Sequence, residues 1–185
     1  MLPKQLRITL SFLALPIVFL FVSSCTSLSP KIDKSSKNID PKKLVPETNE
    51  ILTWARDEDM VYCEDLVCLA SLIDGAAPYY IDGGAEKIIF QDFVKSPENK
   101  RISLEIYQTK NNSQAQSLYK GASSISPVEI EGLGISGRID QGLIGSYRVE
   151  TYKNNYFIRI VSLEKSDSAK EDILSFAKNI SSKIP

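Results

Sequence analysis

YRVETYKNNYFIRIV, residues 147–161, decides the fold. Tyr147 and Val149 alternate with Arg148 and Glu150, Lys153-Asn154-Asn155 turns the chain, and Tyr156, Ile158 and Ile160 alternate with Phe157, Arg159 and Val161. A period of two on both sides of an Asn-Asn turn predicts a β-hairpin, because successive strand side chains point to opposite faces.

Moving outward, Ser168 and Glu171 have capping-box spacing, and Ile173, Phe176, Ala177 and Ile180 form a helical stripe near the C-terminal end. Upstream, Ser113 and Gln116 repeat that box ahead of Ala115, Leu118, Tyr119 and Ala122. Before that helix, Ile102, Leu104 and Ile106 alternate with Ser103, Glu105 and Tyr107, and residues 86–94 form an apolar run, with Pro97 in the connection. This is a second hairpin with Ile102, Leu104 and Ile106 facing the core. Leu66, Leu69, Ala70 and Ile73 give an amphipathic helix over 64–73, with Asp74-Gly75 as its stop. Residues 47–55 around Trp54 fit either a short helix or extended chain. Two hairpins separated and followed by helices predict an α+β fold, an antiparallel sheet of about four to five strands with helices packed on it.

The chain begins with a different kind of segment. Lys4 and Arg7 precede an uncharged apolar run from Ile8 to Val22, then Ser23, Ser24 and Cys25. As a helix that run would be about 22 Å long, short of the roughly 30 Å hydrocarbon core, so residues 1–24 read as a removable signal peptide. Its end resembles the lipobox of bacterial lipoproteins, in which the cysteine thiolate receives a diacylglyceryl group and an acyl chain such as palmitate follows. Val22 departs from the usual leucine, and Val-Ser-Ser also suits ordinary signal peptidase. Cys25 is the expected lipidation site. Thr26 is not the aspartate that marks inner-membrane retention, so a periplasm-facing position on the outer membrane is expected. Residues 25–46 read as lipid anchor and flexible tether, rich in Ser, Lys and Pro, with a reach on the order of 25 Å. Residues 47–185 are expected to form one α+β domain.

Apolar residues are 43% and charged residues 24% of the 185, ordinary values for a globular protein. Removing Lys4 and Arg7 with the signal takes the formal charge from -1 to -3. The tether is net positive through Lys31, Lys34, Lys37, Lys42 and Lys43, so the domain is more negative still, which argues against nucleic-acid binding. There is no histidine. Serine-histidine and cysteine-histidine catalytic pairs are therefore excluded, and the commonest metal ligand is missing.

Cys63 and Cys68 remain as a pair for an oxidising compartment. Inside one regular helix their Cα atoms would be about 8.6 Å apart, beyond the roughly 7 Å limit for a disulfide. A bridge requires Cys63 to lie outside the helix; a bridge and two semi-buried thiols both stand open. Gly132-Leu133-Gly134-Ile135-Ser136-Gly137 matches a dinucleotide-binding string but lacks the strand before and helix after that the motif needs. It reads as a flexible glycine loop. Asp74-Gly75 and Asp82-Gly83 read as turns, with a cation site or paired carboxylates as the sharper alternatives. Trp54, Tyr62, Tyr79 and Tyr80 are candidates for an aromatic patch or for core.

The segment from Trp54 through Tyr62, Leu66 to Ile73, Asp74-Gly75-Ala76-Ala77 and Tyr79-Tyr80, with the later Gly145 to Tyr147 and Tyr156 to Ile160, resembles the bacterial family called domain of unknown function 6599 over most of residues 50–182. Pro78 stands where that family has an acidic or polar residue, and this chain is short. The resemblance implies a secreted or lipid-anchored domain and assigns no catalytic residue.

The expectation is a lipid-anchored envelope protein with no catalytic residue, metal or cofactor, whose domain binds an envelope protein or a small ligand. Two alternatives stand beside it: a histidine-free hydrolase or thiol-redox protein using Asp74 and Asp82 or Cys63 and Cys68, and a structural assembly subunit.

Overall fold

A computed structural model describes residues 38–185. The expected signal segment 1–24, Cys25 and the tether as far as residue 37 lie outside the described residues.

Among the described residues, seven strands form one antiparallel sheet: β1 (Trp54–Cys63), β2 (Ala85–Lys95), β3 (Lys100–Thr109), β4 (Pro127–Glu129), β5 (Ser136–Asp140), β6 (Tyr147–Lys153) and β7 (Tyr156–Ser162). Their spatial order is β1-β2-β3-β7-β6-β5-β4. Two meanders are thus joined where β3 pairs with β7. The helices are α1 (Leu66–Ile73), α2 (Ala77–Asp82), α3 (Asn112–Gly121) and α4 (Asp167–Lys183). Among the described residues no helix is long and apolar enough to cross a membrane.

The class is α+β, but the expected four to five strands are corrected to seven. The hairpins β2-β3 and β6-β7 are those read from alternation; β1, β4 and β5 escaped it for separate reasons. β1 carries Arg56-Asp57-Glu58-Asp59 and a bulge between Asp57 and Val61, which breaks the period of two. β4 is three exposed residues. β5 buries Asp140 and half-buries Arg138 through ion pairs, so its polar residues do not report a solvent face.

Alternation sorts the sheet into two covered faces. Ile102, Leu104, Ile106, Val149, Ile158 and Ile160 pack with Ile173, Phe176, Ala177 and Ile180 of α4. Phe176 meets Trp54 and Phe93 edge-on at 5.3 and 4.8 Å, geometry that adds about 0.5–1.5 kcal/mol per pair beyond area burial. Leu44 and Val45, 0% and 2% exposed, close this core from a 3-10 turn at Pro41–Leu44. The folded domain therefore starts before residue 47, inside the segment assigned to the tether; two adjacent apolar residues give no period to detect.

The opposite face carries α1, α2 and α3. α1 ends at Ile73 as expected, with Asp74 at φ 48°, but the chain then turns through a 3-10 segment into α2, whose first turn holds Pro78, a residue that needs no amide partner there. α3 is capped by Asn111, whose side chain accepts from the Gln114 amide, and α4 by Ser166, which accepts from Ala169. Both caps lie two residues before the expected serines.

Candidate functional site

On the face carrying α1 to α3, the strand register lays side chains in three cross-strand rows. The first is apolar: Cys63, Ile88, Tyr107, Phe157 and Tyr152 lie side by side across five strands under the helices. The second is charged, running Glu105, Arg159, Glu150, Arg138 from β3 to β5. The third runs Asp57, Asp92, Ser103, Val161, Arg148, Asp140, largely beyond the helices.

The charged row alternates in sign. Glu150, 1% exposed, holds Arg138 at 2.7 Å, Arg159 at 3.0 Å and Arg148 at 3.5 Å. Arg138 also donates to the carbonyls of Tyr119 and Ala122, which ties the end of α3 to the sheet. Asp140 accepts from the amides of Ile125, Ser126 and Gly142 and pairs with Arg148. Burial pushes its carboxyl up, but those amides and Arg148 outweigh burial and lower it to about 2. Glu105 accepts from the Tyr107 hydroxyl at 2.6 Å and lies 3.5 Å from Arg159. Burial dominates there and raises its carboxyl above the usual range, against Arg159 and the Tyr107 hydrogen bond. The Tyr107 phenol is raised by burial and then by Glu105, and its ring stacks on Tyr80 at 4.2 Å. Tyr80 in turn hydrogen-bonds Arg159.

Because the helices stop at the first two rows, the third is left in a groove of about 370 Å³. Its floor is the sheet at Phe90, Asp92, Ser103 and Glu105, and its walls are Leu72 and Ile73 of α1 and the bulge Asp57–Val61 of β1. Val61 and Leu72 are 39% and 41% exposed. A second recess of about 270 Å³ opens beyond Arg159, between Tyr79, Tyr80, Arg148 and residues 121–123. The charges on the two sides differ. Arg138, Arg148 and Arg159 are matched by Glu105, Asp140 and Glu150, and Asp57 by Arg101. Among the described residues no cation pairs with Glu58, Asp59 or Asp92. The groove is acidic where it meets β1 and β2.

The residues singled out in the sequence lie mostly elsewhere. Cys63 and Cys68 form a disulfide with Cα atoms 5.5 Å apart, which the geometry permits because Cys63 ends β1 and α1 begins only at Leu66. Asp74 precedes α2 and Asp82 is its last residue, both exposed and outside the groove lining. Trp54 is core on the α4 face, whereas Tyr79 and Tyr80 border the recess on the other, so the aromatics form no single patch. The glycine string connects β4 to β5 and leads into no helix. Among the described residues no three His, Cys, Asp or Glu side chains converge to hold a metal ion. Sequence reading missed Glu105, Glu150, Arg159 and Arg138, because charged residues in an alternating strand count as the solvent face. One signal was present: Glu150 and Arg159 lie equally far from the Asn154-Asn155 turn, which puts opposite charges in register.

No family model and no curated protein matches the chain. Among solved structures, the extracellular domain of PknH from Mycobacterium tuberculosis is similar at 9% identity and a TM-score of 0.41, over 78% of this chain and 93% of that one. A likeness at that level carries no argument about function.

Proposed function

We propose that this chain is a lipid-anchored envelope protein, acylated on Cys25 and facing the periplasm, whose domain is a non-enzymatic binding module with the half-open sheet face as its binding surface. The observation that carries the surface is the groove. Part of a sheet face is left uncovered beside α1, with an apolar wall at Leu72 and Ile73, an acidic wall at the β1 bulge and a volume in the range of small-ligand sites. Beside it the charged row and the Tyr80-Tyr107 stack fix Glu105 of the floor through Arg159 and the Tyr107 hydroxyl, as a preformed site requires.

The anchor rests on sequence: the basic start, the apolar run of residues 8–22 and the small residues before Cys25. Two or three acyl chains on one cysteine, at about 0.8 kcal/mol per buried methylene, would hold the domain on its membrane without a spanning helix. Thr26 favours the outer membrane, and the resemblance to domain of unknown function 6599 belongs to the same reading. A thiol-redox role draws no support from the bridge, since Cys63 is 1% exposed and the disulfide fastens α1 to the end of β1.

Two measurements test the proposal. The intact mass of protein purified from membranes should equal the chain from Cys25 plus acyl groups; an unacylated mass withdraws the anchor. A photo-crosslinking amino acid placed at Ser103, in the groove floor, should give an adduct in living cells that the same group at exposed Glu171 on α4 does not. Equal labelling at both positions, or none at Ser103, removes the groove as the binding surface.

A further inference from the structure

Resting on the reading of Cys25 as an acylated anchor, we infer that the first turn of α1 is a membrane-docking surface, with Leu66 and Val67 entering the headgroup layer of the bilayer that holds the acyl chains.

The composition of the helix calls for a cover that the domain does not supply. α1 reads LVCLASLI and carries no charged residue on any face. A helix that is apolar all round is ordinarily buried all round, whereas a surface helix turns charges to water. Here only Leu69 is fully buried, and Leu66, Val67 and Leu72 are 44%, 81% and 41% exposed. Leu72 belongs to the groove. That leaves Leu66 and Val67, two adjacent apolar side chains at the start of the helix, largely uncovered.

The place where the chain enters the domain identifies the cover. The Ile39 carbonyl accepts from the Tyr156 hydroxyl at the start of β7, and Lys42 lies 4.1 Å from the centre of the Tyr62 ring. Tyr62 precedes Cys63, which is bridged to Cys68 in the first turn of α1. Entry and apolar pair thus share one corner of the fold. Because Ile39 already packs on the core, only residues 26–37 separate the fold from Cys25, a stretch that reaches at most about 45 Å when fully extended. Confined that near to the bilayer, the domain meets it at an effective concentration on the order of millimolar, so a small apolar contact suffices.

Charge agrees with this assignment. Between residues 31 and 43 five lysines stand against Asp33 and Asp40, a net +3, which suits anionic headgroups. Glu64 and Asp65 border the apolar pair, but Glu64 accepts from the Tyr62 hydroxyl and Asp65 from the Cys68 amide. The other end of the sheet supplies a contrast. Ile144, 101% exposed, precedes β6, whose seven residues carry the chain roughly 20 Å back toward the entry corner.

The test is lipid photolabelling of the intact protein, extracted from membranes in detergent and reconstituted into vesicles of phosphatidylethanolamine and phosphatidylglycerol. The vesicles also contain a phosphatidylcholine with a diazirine in its acyl chain. Peptide mapping by mass spectrometry should find adducts on the peptide holding Leu66 and Val67, well above those on the peptide holding Ile144. Leu66→Ser/Val67→Ser should lower the yield at α1 about tenfold, since two aliphatic side chains leave the lipid. Both positions are exposed, and thermal melts confirm that the variant folds. Equal labelling of α1 and Ile144 overturns the inference, as does an unchanged yield in the double variant. A discrete protein adduct from a photo-crosslinking amino acid at Val67 in living cells also overturns it, by giving that face to a protein partner. The same mass spectra separate the docking from its premise: an acylated Cys25 with an unlabelled α1 removes the docking alone, and an unacylated chain removes the anchor and the docking with it.

Discussion

Glu150 and Arg159 face each other across β6 and β7, with Oε1 3.0 Å from Nε, and the same Glu150 carboxylate reaches two further arginines, Arg138 and Arg148. One buried anion therefore sits among three cations drawn from three strands. Removing it leaves Arg138 without an anion and Arg148 and Arg159 with only Asp140 and Glu105, and breaking a buried pair in this way typically costs about 3–5 kcal/mol. Glu150→Gln should lower the urea midpoint at pH 7 by that order. Glu105→Gln should do much less, because burial already opposes the charged form of Glu105 and glutamine keeps an acceptor for the Tyr107 hydroxyl. Comparable losses in the two variants would show that Glu150 is not the hub of the row.

Asp140 links this row to acid stability. Its folded pKa of about 2 lies below the ordinary aspartate value of 3.8, so its contribution is complete above about pH 4 and is lost as pH falls toward 2. The difference corresponds to about 2 kcal/mol. Glu50, held by Lys183 and Asn179 against the opposing effect of burial, is also lowered to about 2 and loses its contribution in the same window. Urea unfolding from pH 7 to 2.5 should show wild type weakening below pH 4, and Asp140→Asn, weaker at neutral pH, should show a shallower decline. Parallel curves would remove Asp140 as a source of the acid sensitivity.

What sequence made legible follows a simple physical divide. Ile102, Leu104, Ile106, Ile158 and Ile160 showed one sheet face and Ile173, Phe176, Ala177 and Ile180 its cover, because burial by hydrophobicity leaves a period. The other face buries Glu105, Arg159 and Glu150 by pairing charges across strands, and a pairing rule is invisible to a pattern that sorts residues by polarity. β1 was hidden for a related reason: its acidic bulge, which forms one wall of the groove, is what interrupts its alternation. The candidate site lay where the sequence pattern was poorest.

The disulfide bears on the groove through α1. Leu69 is the only fully buried side chain of that helix, so the bridge from Cys68 to Cys63 supplies much of what holds it against β1. For a loop this short the chain-entropy model gives about 2 kcal/mol. Cys63→Ala/Cys68→Ala should lose about that much stability, and hydrogen exchange should accelerate in α1 while α4 stays protected. The Ser103 adduct should weaken as well, because Leu72 and Ile73 are wall residues carried by this helix. Unchanged exchange in α1 would place the attachment in Leu69 and the α2 turn instead.

The glycine string has a structural reason of its own, and two of its members separate it from backbone freedom alone. Gly132 and Gly134 both have positive φ, 73° and 66°, where a side chain costs about 1–2 kcal/mol. A Cβ on Gly132 meets nothing within 4 Å, whereas one on Gly134 would run into Thr151 Oγ1 and come within 2.6 Å of the Tyr152 carbonyl oxygen. That close approach lets the Ile135 amide bond Tyr152 at 2.9 Å and seats Leu133, 3% exposed, in the core under α4. Gly132→Ala should cost about 1 kcal/mol and Gly134→Ala about 3 kcal/mol, since overpacking adds to the backbone term. Chemical denaturation of the two variants measures the gap. Equal losses would mean that β6 gives way to the added methyl and that the loop does not depend on this approach; a large gap identifies Gly134 as the point where the β4-β5 connection is pinned to the sheet.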